Sequence, residues 1–243
     1  MIPYMRRAAS LALLLATALA ACAVHGAVPS DASSHAPRIV DRPISFSPER
    51  QANTLAYIRE HYGLTPPDLT ITPRVVVLHW TAIDDLEASF RAFDRETLAG
   101  RPELSAAGDV NVSIHFLVDK DGSIYRLMPE TWMARHVIGL NYDAVGVENV
   151  GTGDGEGDTL TEAQIEANIR LVRYLAGKHP RIEYLIGHHE YEAFEGHPLW
   201  RERDEGYRTA KIDPGQRFMR AVRGGVADLG LKDVGDIRAE AAR

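Results

Sequence analysis

Two histidines and one aspartate, far apart in the chain, have the residue types of a hydrolytic metal site. His79 ends the apolar run Val75-Val76-Val77-Leu78-His79-Trp80, and His188 ends Tyr184-Leu185-Ile186-Gly187-His188. Asp213 sits in Lys211-Ile212-Asp213-Pro214-Gly215. Two imidazoles and a carboxylate can hold zinc and leave a fourth position open for water, which marks a catalytic ion rather than a scaffolding one. Either histidine alone reads as a satisfied, partly buried imidazole. Together with Asp213 they make a ligand set. Spacing by itself does not force the three to converge, and no compact HExxH-type motif is present.

The elements around these residues alternate. Ser47-Pro48-Glu49 reads as a helix start, with Ser at the N-cap and Pro in the first turn, and Gly63 ends that helix. Arg74 to His79 is β-branched and continuously apolar, as a buried central strand is. A helix is expected over 84–94 and a loop over 98–110. Val112 to Val118 alternates as a strand and leads into the turn Asp119-Lys120-Asp121-Gly122, with a return strand over 123–127. Ala144 to Val150 is a further strand, followed by a Gly-rich acidic loop over 151–158. Thr161 opens a helix with Ile165, Ile169, Val172 and Leu175 on one face, ended by Gly177 and Pro180. A strand over 184–187 and a helix over 218–222 close the pattern. This order predicts an α/β fold, a mixed central sheet flanked by helices on both faces. Strand ends in such a sheet present side chains to a crevice, which is where His79 and His188 stand.

Composition narrows the partners. Charged residues make up 25% and hydrophobic residues 45% of the 243 residues, values of an ordinary globular chain. The net charge is −7 and becomes more negative once Arg6 and Arg7 are removed with a leader. That argues against nucleic acid and against electrostatic docking on an anionic membrane. Cysteine occurs once, at Cys22, so no internal disulfide forms and the folded domain offers no thiolate ligand. Arg6 and Arg7, the apolar stretch 11–20 and the small residues before Cys22 read as a secretory signal. Leu19-Ala20-Ala21-Cys22 resembles a bacterial lipoprotein signal. The resemblance implies cleavage before Cys22, lipidation of its thiol and, with Ala23 following, an outer-membrane lipoprotein facing the periplasm. The alternative is an ordinary signal peptide that contains a cysteine, but the single cysteine falls at the one place the lipoprotein signal needs it. The resulting division is 1–21 signal, 22–46 lipidated cysteine and tether, 47–223 folded domain and 224–243 tail.

Several segments resemble, in order, those of the zinc-dependent N-acetylmuramoyl-L-alanine amidases, relatives of phage amidases and peptidoglycan recognition proteins. They are Val77-Leu78-His79-Trp80-Thr81-Ala82, Val112 to Asp119, Asp121 to Tyr125, Arg135-His136-Val137-Ile138-Gly139, Ala144-Val145-Gly146-Val147-Glu148-Asn149, Gly187-His188 and Lys211 to Gly215. The resemblance implies one zinc per chain on His79, His188 and Asp213, with Glu148 as acid/base group and Lys211 stabilising the transition state. It implies hydrolysis of the amide between N-acetylmuramic acid and L-alanine in peptidoglycan or muropeptides, with the membrane touched only through the lipid anchor. Two other activities stay open: a non-catalytic peptidoglycan-binding module, and a zinc peptidase acting within the stem peptide. His189 is the rival of His188 for the ligand role. His115 and His136 are read as substrate contacts or as supports behind the ligands. The stretch 189–210 is longer than in compact relatives, and its His197 reads as surface.

Overall fold

The computed structural model describes residues 36–98, 108–154 and 157–242. The signal, Cys22 and most of the tether lie outside the described residues. Six strands form one mixed sheet in the order β1-β4-β3-β5-β2-β6. They are β1 (Ile39–Asp41), β2 (Val75–Trp80), β3 (Phe116–Val118), β4 (Ile124–Arg126), β5 (Ala144–Asn149) and β6 (Tyr184–Gly187). Only the β3–β4 hairpin is antiparallel; β1–β4, β3–β5, β5–β2 and β2–β6 run parallel. The helices are α1 (Pro48–Tyr57), α2 (Leu86–Asp94), α3 (Glu162–Lys178), α4 (Gln216–Gly225) and α5 (Val234–Ala241).

β2 lies inside the sheet between β5 and β6, and every residue in it is buried, as its unbroken apolar run requires. Alternation then sorts the two faces. Val76, Leu78, Val145, Val147 and Leu185 pack against Ile165, Leu171 and Val172 of α3 and Phe218, Met219 and Val222 of α4. Val75, Val77, Ala144, Tyr184 and Ile186 face Tyr57 of α1, the π-helical turn Ile58–Tyr62 and Ile237 of α5. Helices therefore cover both faces, as expected.

Local signals explain the helix starts. Ser47 accepts a hydrogen bond from Arg50 N, and Pro48 occupies the first turn. Thr161 and Gln164 form a reciprocal capping box at the start of α3. Arg50 does a job the sequence does not advertise. It is fully buried and donates to Ser45 O at 2.9 Å, Phe93 O at 2.9 Å and Val112 O at 3.3 Å. Two of its neighbours, Phe93 O and Asp94 O, are end carbonyls of α2, groups that no helix can satisfy internally. Burial pulls the guanidinium down to about 10, so it stays charged and ties α1 to α2. Gly122 supplies the positive φ of 84° in the β3–β4 turn, where a Cβ would come within 2.8 Å of Ala163 O.

Four expectations need correction. The strand expected over 112–118 shortens to 116–118, because Ser113 pairs away from the sheet: its N–H donates to Arg135 O at 3.0 Å and its Oγ accepts from Arg135 N at 2.9 Å. The tether does not reach residue 46, since β1 pairs with β4 and Ile44 is buried. Gly177 does not end α3, which runs to Lys178. The stretch read as a tail after residue 223 is part of the packing. Lys232 N donates to Glu183 O and Lys232 O accepts from Leu185 N, so the chain covers the open edge of β6, a device that blunts edge pairing. Ile237 then enters the core.

Candidate active site

Strand periodicity brings the chemistry to one face. His79 follows Val75 and Val77 on β2, Glu148 follows Ala144 and Gly146 on β5, and His188 follows Tyr184 and Ile186 beyond β6. All three occupy the face of α1 and α5, at the carboxyl ends of parallel strands. His79 and Glu148 are register partners, so they stand one strand spacing apart, about 4.8 Å. The opposite face braces this end: Asn168 of α3 donates to Asn149 Oδ1 at 2.6 Å, and Asn149 donates to His79 O at 3.0 Å.

Asp213 comes from the loop before α4 and closes a triangle. His79 Nδ1 lies 2.9 Å from His188 Nδ1, His188 Nδ1 3.1 Å from Asp213 Oδ2, and His79 Nδ1 3.3 Å from Asp213 Oδ2. The three residues form a group able to hold a metal ion. Ligand atoms around tetrahedral zinc stand about 3.3 Å apart when zinc–nitrogen distances are about 2.0–2.1 Å, so the triangle has the dimensions of the open-position zinc set. Burial and neighbouring His188 pull the His79 imidazole down to about 4, against the opposing effect of Asp213. Burial pushes the Asp213 carboxyl up, but His188 and His79 outweigh it and hold it below the carboxylate range. A neutral His79 and an ionised Asp213 are the protonation states that ligation requires.

His188, not His189, faces the triangle. His189 braces the third corner instead: its backbone N–H and its Nδ1 donate to Asp213 O at 3.0 and 2.8 Å, and Gln216 Nε2 donates to His189 Nε2 at 2.9 Å. His115 is occupied in the same way. Its Nδ1 accepts from Gly146 N at 3.0 Å and its Nε2 donates to Trp132 O at 2.8 Å, so it pins β5 and has no nitrogen left for substrate. Burial pulls it down to about 4, consistent with this neutral form. His136 Nδ1 lies 3.0 Å from His79 Nε2.

A cavity of about 440 Å³ adjoins the triangle, with Glu148, His188, Lys211 and Asp213 in its wall. Lys211 is close enough for its charge to act on His79. His136 and residues of the quoted motifs, among them Trp80, Thr81, Val112 and Arg135, also line it, whereas other parts of the wall were not singled out from sequence. Tyr57 arrives from α1, Arg95 from the end of α2, and Tyr207 and Thr209 from the stretch 189–210. That stretch is firmly packed. His61 Nδ1 lies 2.9 Å from Glu202 Oε1 in a buried pair, Arg201 N donates to Gly139 O at 2.9 Å, and the Arg201 guanidinium pairs with Asp143. His197 is not a surface group: it is buried, with Nε2 3.2 Å from Tyr184 OH and 3.3 Å from Glu240 Oε2. Of the stretch 189–210, Tyr207 and Thr209 reach the wall, while Tyr191, Phe194 and Leu199 are buried in the core instead.

Comparison with known proteins gives the site a context. Among solved structures the chain is similar to the N-acetylmuramoyl-L-alanine amidase LysCS from Clostridium intestinale URNW, at 21% identity over 82% of this chain and 99% of that one, TM-score 0.48. It is similar to a selenomethionine derivative of AmpD at 19% identity, over 79% of this chain and 95% of that one, TM-score 0.46. It is also similar to bumblebee PGRP-SA at 16% identity, over 78% and 96% of the two chains, TM-score 0.46. No curated protein matches it. The sequence profile described as N-acetylmuramoyl-L-alanine amidase matches residues 69–216. That span exceeds half of the chain and contains all five residues His79, Glu148, His188, Lys211 and Asp213. The chain belongs to the N-acetylmuramoyl-L-alanine amidase family.

Proposed function

We propose that this chain is a zinc-dependent N-acetylmuramoyl-L-alanine amidase that frees stem peptides from peptidoglycan or muropeptides. The observation that carries the reading is the triangle of His79 Nδ1, His188 Nδ1 and Asp213 Oδ2, with edges of 2.9–3.3 Å, inside the span matched by the family. These three residues would hold one zinc ion per chain. When bound, zinc supplies Lewis acidity and makes hydroxide available near pH 7. Glu148, one strand over from His79, takes the proton of the attacking water and returns it to the departing L-alanine nitrogen. Proton transfer of this kind is worth about 10²–10⁴-fold. Lys211 holds its ammonium beside the carbonyl oxygen as negative charge develops there, a term worth roughly 3–4 kcal/mol per donor. The cavity wall orients the peptide, and its apolar members limit competing water. A non-catalytic binding module would not need an acid/base carboxylate beside an intact ligand set.

The test is a muropeptide digest followed by mass spectrometry, with and without a chelator. The expected result is free stem peptide, a cut at the lactyl–alanine amide, and arrest by the chelator. Glu148→Gln should lose about 10²–10⁴-fold in rate and keep its zinc. Cleavage within the stem peptide would make it a peptidase, and sacculus binding without peptide release would make it a binding module. We further propose that the chain is exported and lipid-anchored through Cys22 at the periplasmic face of the outer membrane. The support is Leu19-Ala20-Ala21-Cys22 behind a basic, apolar leader. Palmitate labelling that is equal in the parent and in Cys22→Ala would refute the anchor.

A further inference from the structure

We propose that His136 is a positioning residue that fixes the tautomer of His79 and so sets the affinity and geometry of the metal site; this rests on the zinc reading above. A neutral imidazole carries one proton on one of two nitrogens. His79 turns Nδ1 toward His188 and Asp213. To offer a lone pair there, it must carry its proton on Nε2. That proton needs an acceptor, and His136 Nδ1 lies 3.0 Å away. Metal-bound imidazoles are generally oriented by a carboxylate, a carbonyl or water on the far nitrogen. Here a second imidazole stands in that place, and it orients His79 without adding negative charge to a centre that already contains Asp213.

The surroundings hold His136 for this task. Asn141 Oδ1 accepts from the backbone N–H groups of His136 and Val137 at 2.8 and 2.7 Å. Asn141 in turn donates to Tyr62 OH at 2.9 Å, so the anchor reaches the π-helical turn after α1. The His136 ring stands edge-on to His79, at 5.1 Å between centroids and 84° between planes. Gly146 gives it room, because a Cβ there would approach His136 Nδ1 to 2.7 Å. His115 also packs edge-on against it, at 5.8 Å between centroids, with both of its nitrogens engaged elsewhere.

The experiment measures zinc affinity by competition with a chromophoric chelator, and the absorption spectrum of the cobalt-loaded protein. His136→Ala should bind zinc about 10–100-fold more weakly and shift the cobalt spectrum. His136→Asn, whose amide oxygen stands near the position of Nδ1, should recover most of both, whereas His136→Gln should not. This Asn–Gln contrast carries the test even if the alanine variant fails to fold. Zinc affinity within twofold of the parent in both the Ala and Gln variants, with unchanged cobalt spectra, would overturn the proposal, as would equal loss in Asn and Gln. A residue that only touched substrate would raise KM and leave zinc affinity alone. A parent protein that binds no zinc would instead bring down the metal reading itself, so the two failures are distinct.

Discussion

Two clusters in this molecule each join a buried carboxylate to histidine and differ in their balance of donors and acceptors. Around Glu130, one carboxylate meets four donors: His179 Nε2 at 2.7 Å, Lys178 Nζ at 2.9 Å, Arg126 Nη1 at 3.2 Å and Tyr174 OH at 3.3 Å. Its charge and lone pairs are matched by the protein. At the other cluster, His79 Nδ1, His188 Nδ1 and Asp213 Oδ2 converge within 3.3 Å. With the imidazole protons on their outer nitrogens, three lone pairs face one another. Such a set gains most from a cation at its centre, whereas the Glu130 set already contains its cations. A carboxylate beside histidine is common to a metal site and an ion-pair cluster, but the donor count separates the two.

The largest expected effect separates the two clusters by metal. Asp213→Ala should weaken zinc binding by more than the roughly 10–100-fold expected for a residue that only supports a ligand, and peptide release should fall by about a thousandfold or more as the zinc chemistry is lost. Glu130→Ala should keep its zinc and its rate per bound zinc. Elemental analysis of dialysed protein and a muropeptide assay read both. Zinc retained at full stoichiometry in Asp213→Ala would mean a different third ligand. Mass action adds a second readout, because zinc at a hundredfold above its dissociation constant stabilises the native state by about 2.7 kcal/mol. Chelation should therefore lower the melting temperature of the parent and of Glu130→Ala, and leave that of Asp213→Ala unmoved.

The next effect runs the other way. Removing Glu130 takes the shared carboxylate from Lys178 and His179, while Arg126 loses one of its two counter-charges and keeps Asp41 Oδ1 at 2.7 Å. Breaking one side of a buried ion cluster costs about 3–5 kcal/mol. Lys178 and Arg126 are partly solvated, so the low end applies, about 3 kcal/mol. For a domain of this size that is a fall of about 6–12 °C in melting temperature. A fall below 2 °C in metal-free protein would show that the cluster is a solvated surface network, and the comparison would lose its structural half.

The parts legible in the sequence were those written in local pattern. β2 and β6 stood out because strands buried on both faces need unbroken apolar runs, and α3 stood out because its cap and stripe are contiguous. His79 and His188 were marked by their places at the ends of such runs, and Asp213 by its motif. The choice of His188 over His189 was legible only through the resemblance of Gly187-His188 to the family motif; local pattern left the two open, because the physical distinction depends on how the Asp213 backbone comes back to accept from His189. Tyr57, Arg95 and Tyr207 were missed for a similar reason. Each is unremarkable in its own segment and meets the cavity only through long-range packing. β1 escaped because three residues of strand carry no periodic signal. The last helix escaped because a single residue, Ile237, anchors it.

The smallest effect tests the Glu130 cluster by pH. Burial pushes the Glu130 carboxyl up, but His179, Lys178 and Arg126 together outweigh burial and hold it below its ordinary 4.5. The unfolded chain therefore binds a proton here at a pH where the folded chain does not, so stability rises with pH through that window. The contribution is fully present above about 4.5 and is lost as the pH falls below it. Glu130→Gln does not titrate, so its stability should change less between pH 5 and pH 3, even though it is less stable than the parent at pH 7. Other depressed carboxylates, such as Glu240, held at about 2 by Lys232 and Tyr184, act in both proteins, so the quantity to read is the difference between the two curves. Denaturant unfolding at matched ionic strength measures it. Parallel curves would mean that Glu130 is not the group whose ionisation His179, Lys178 and Arg126 protect.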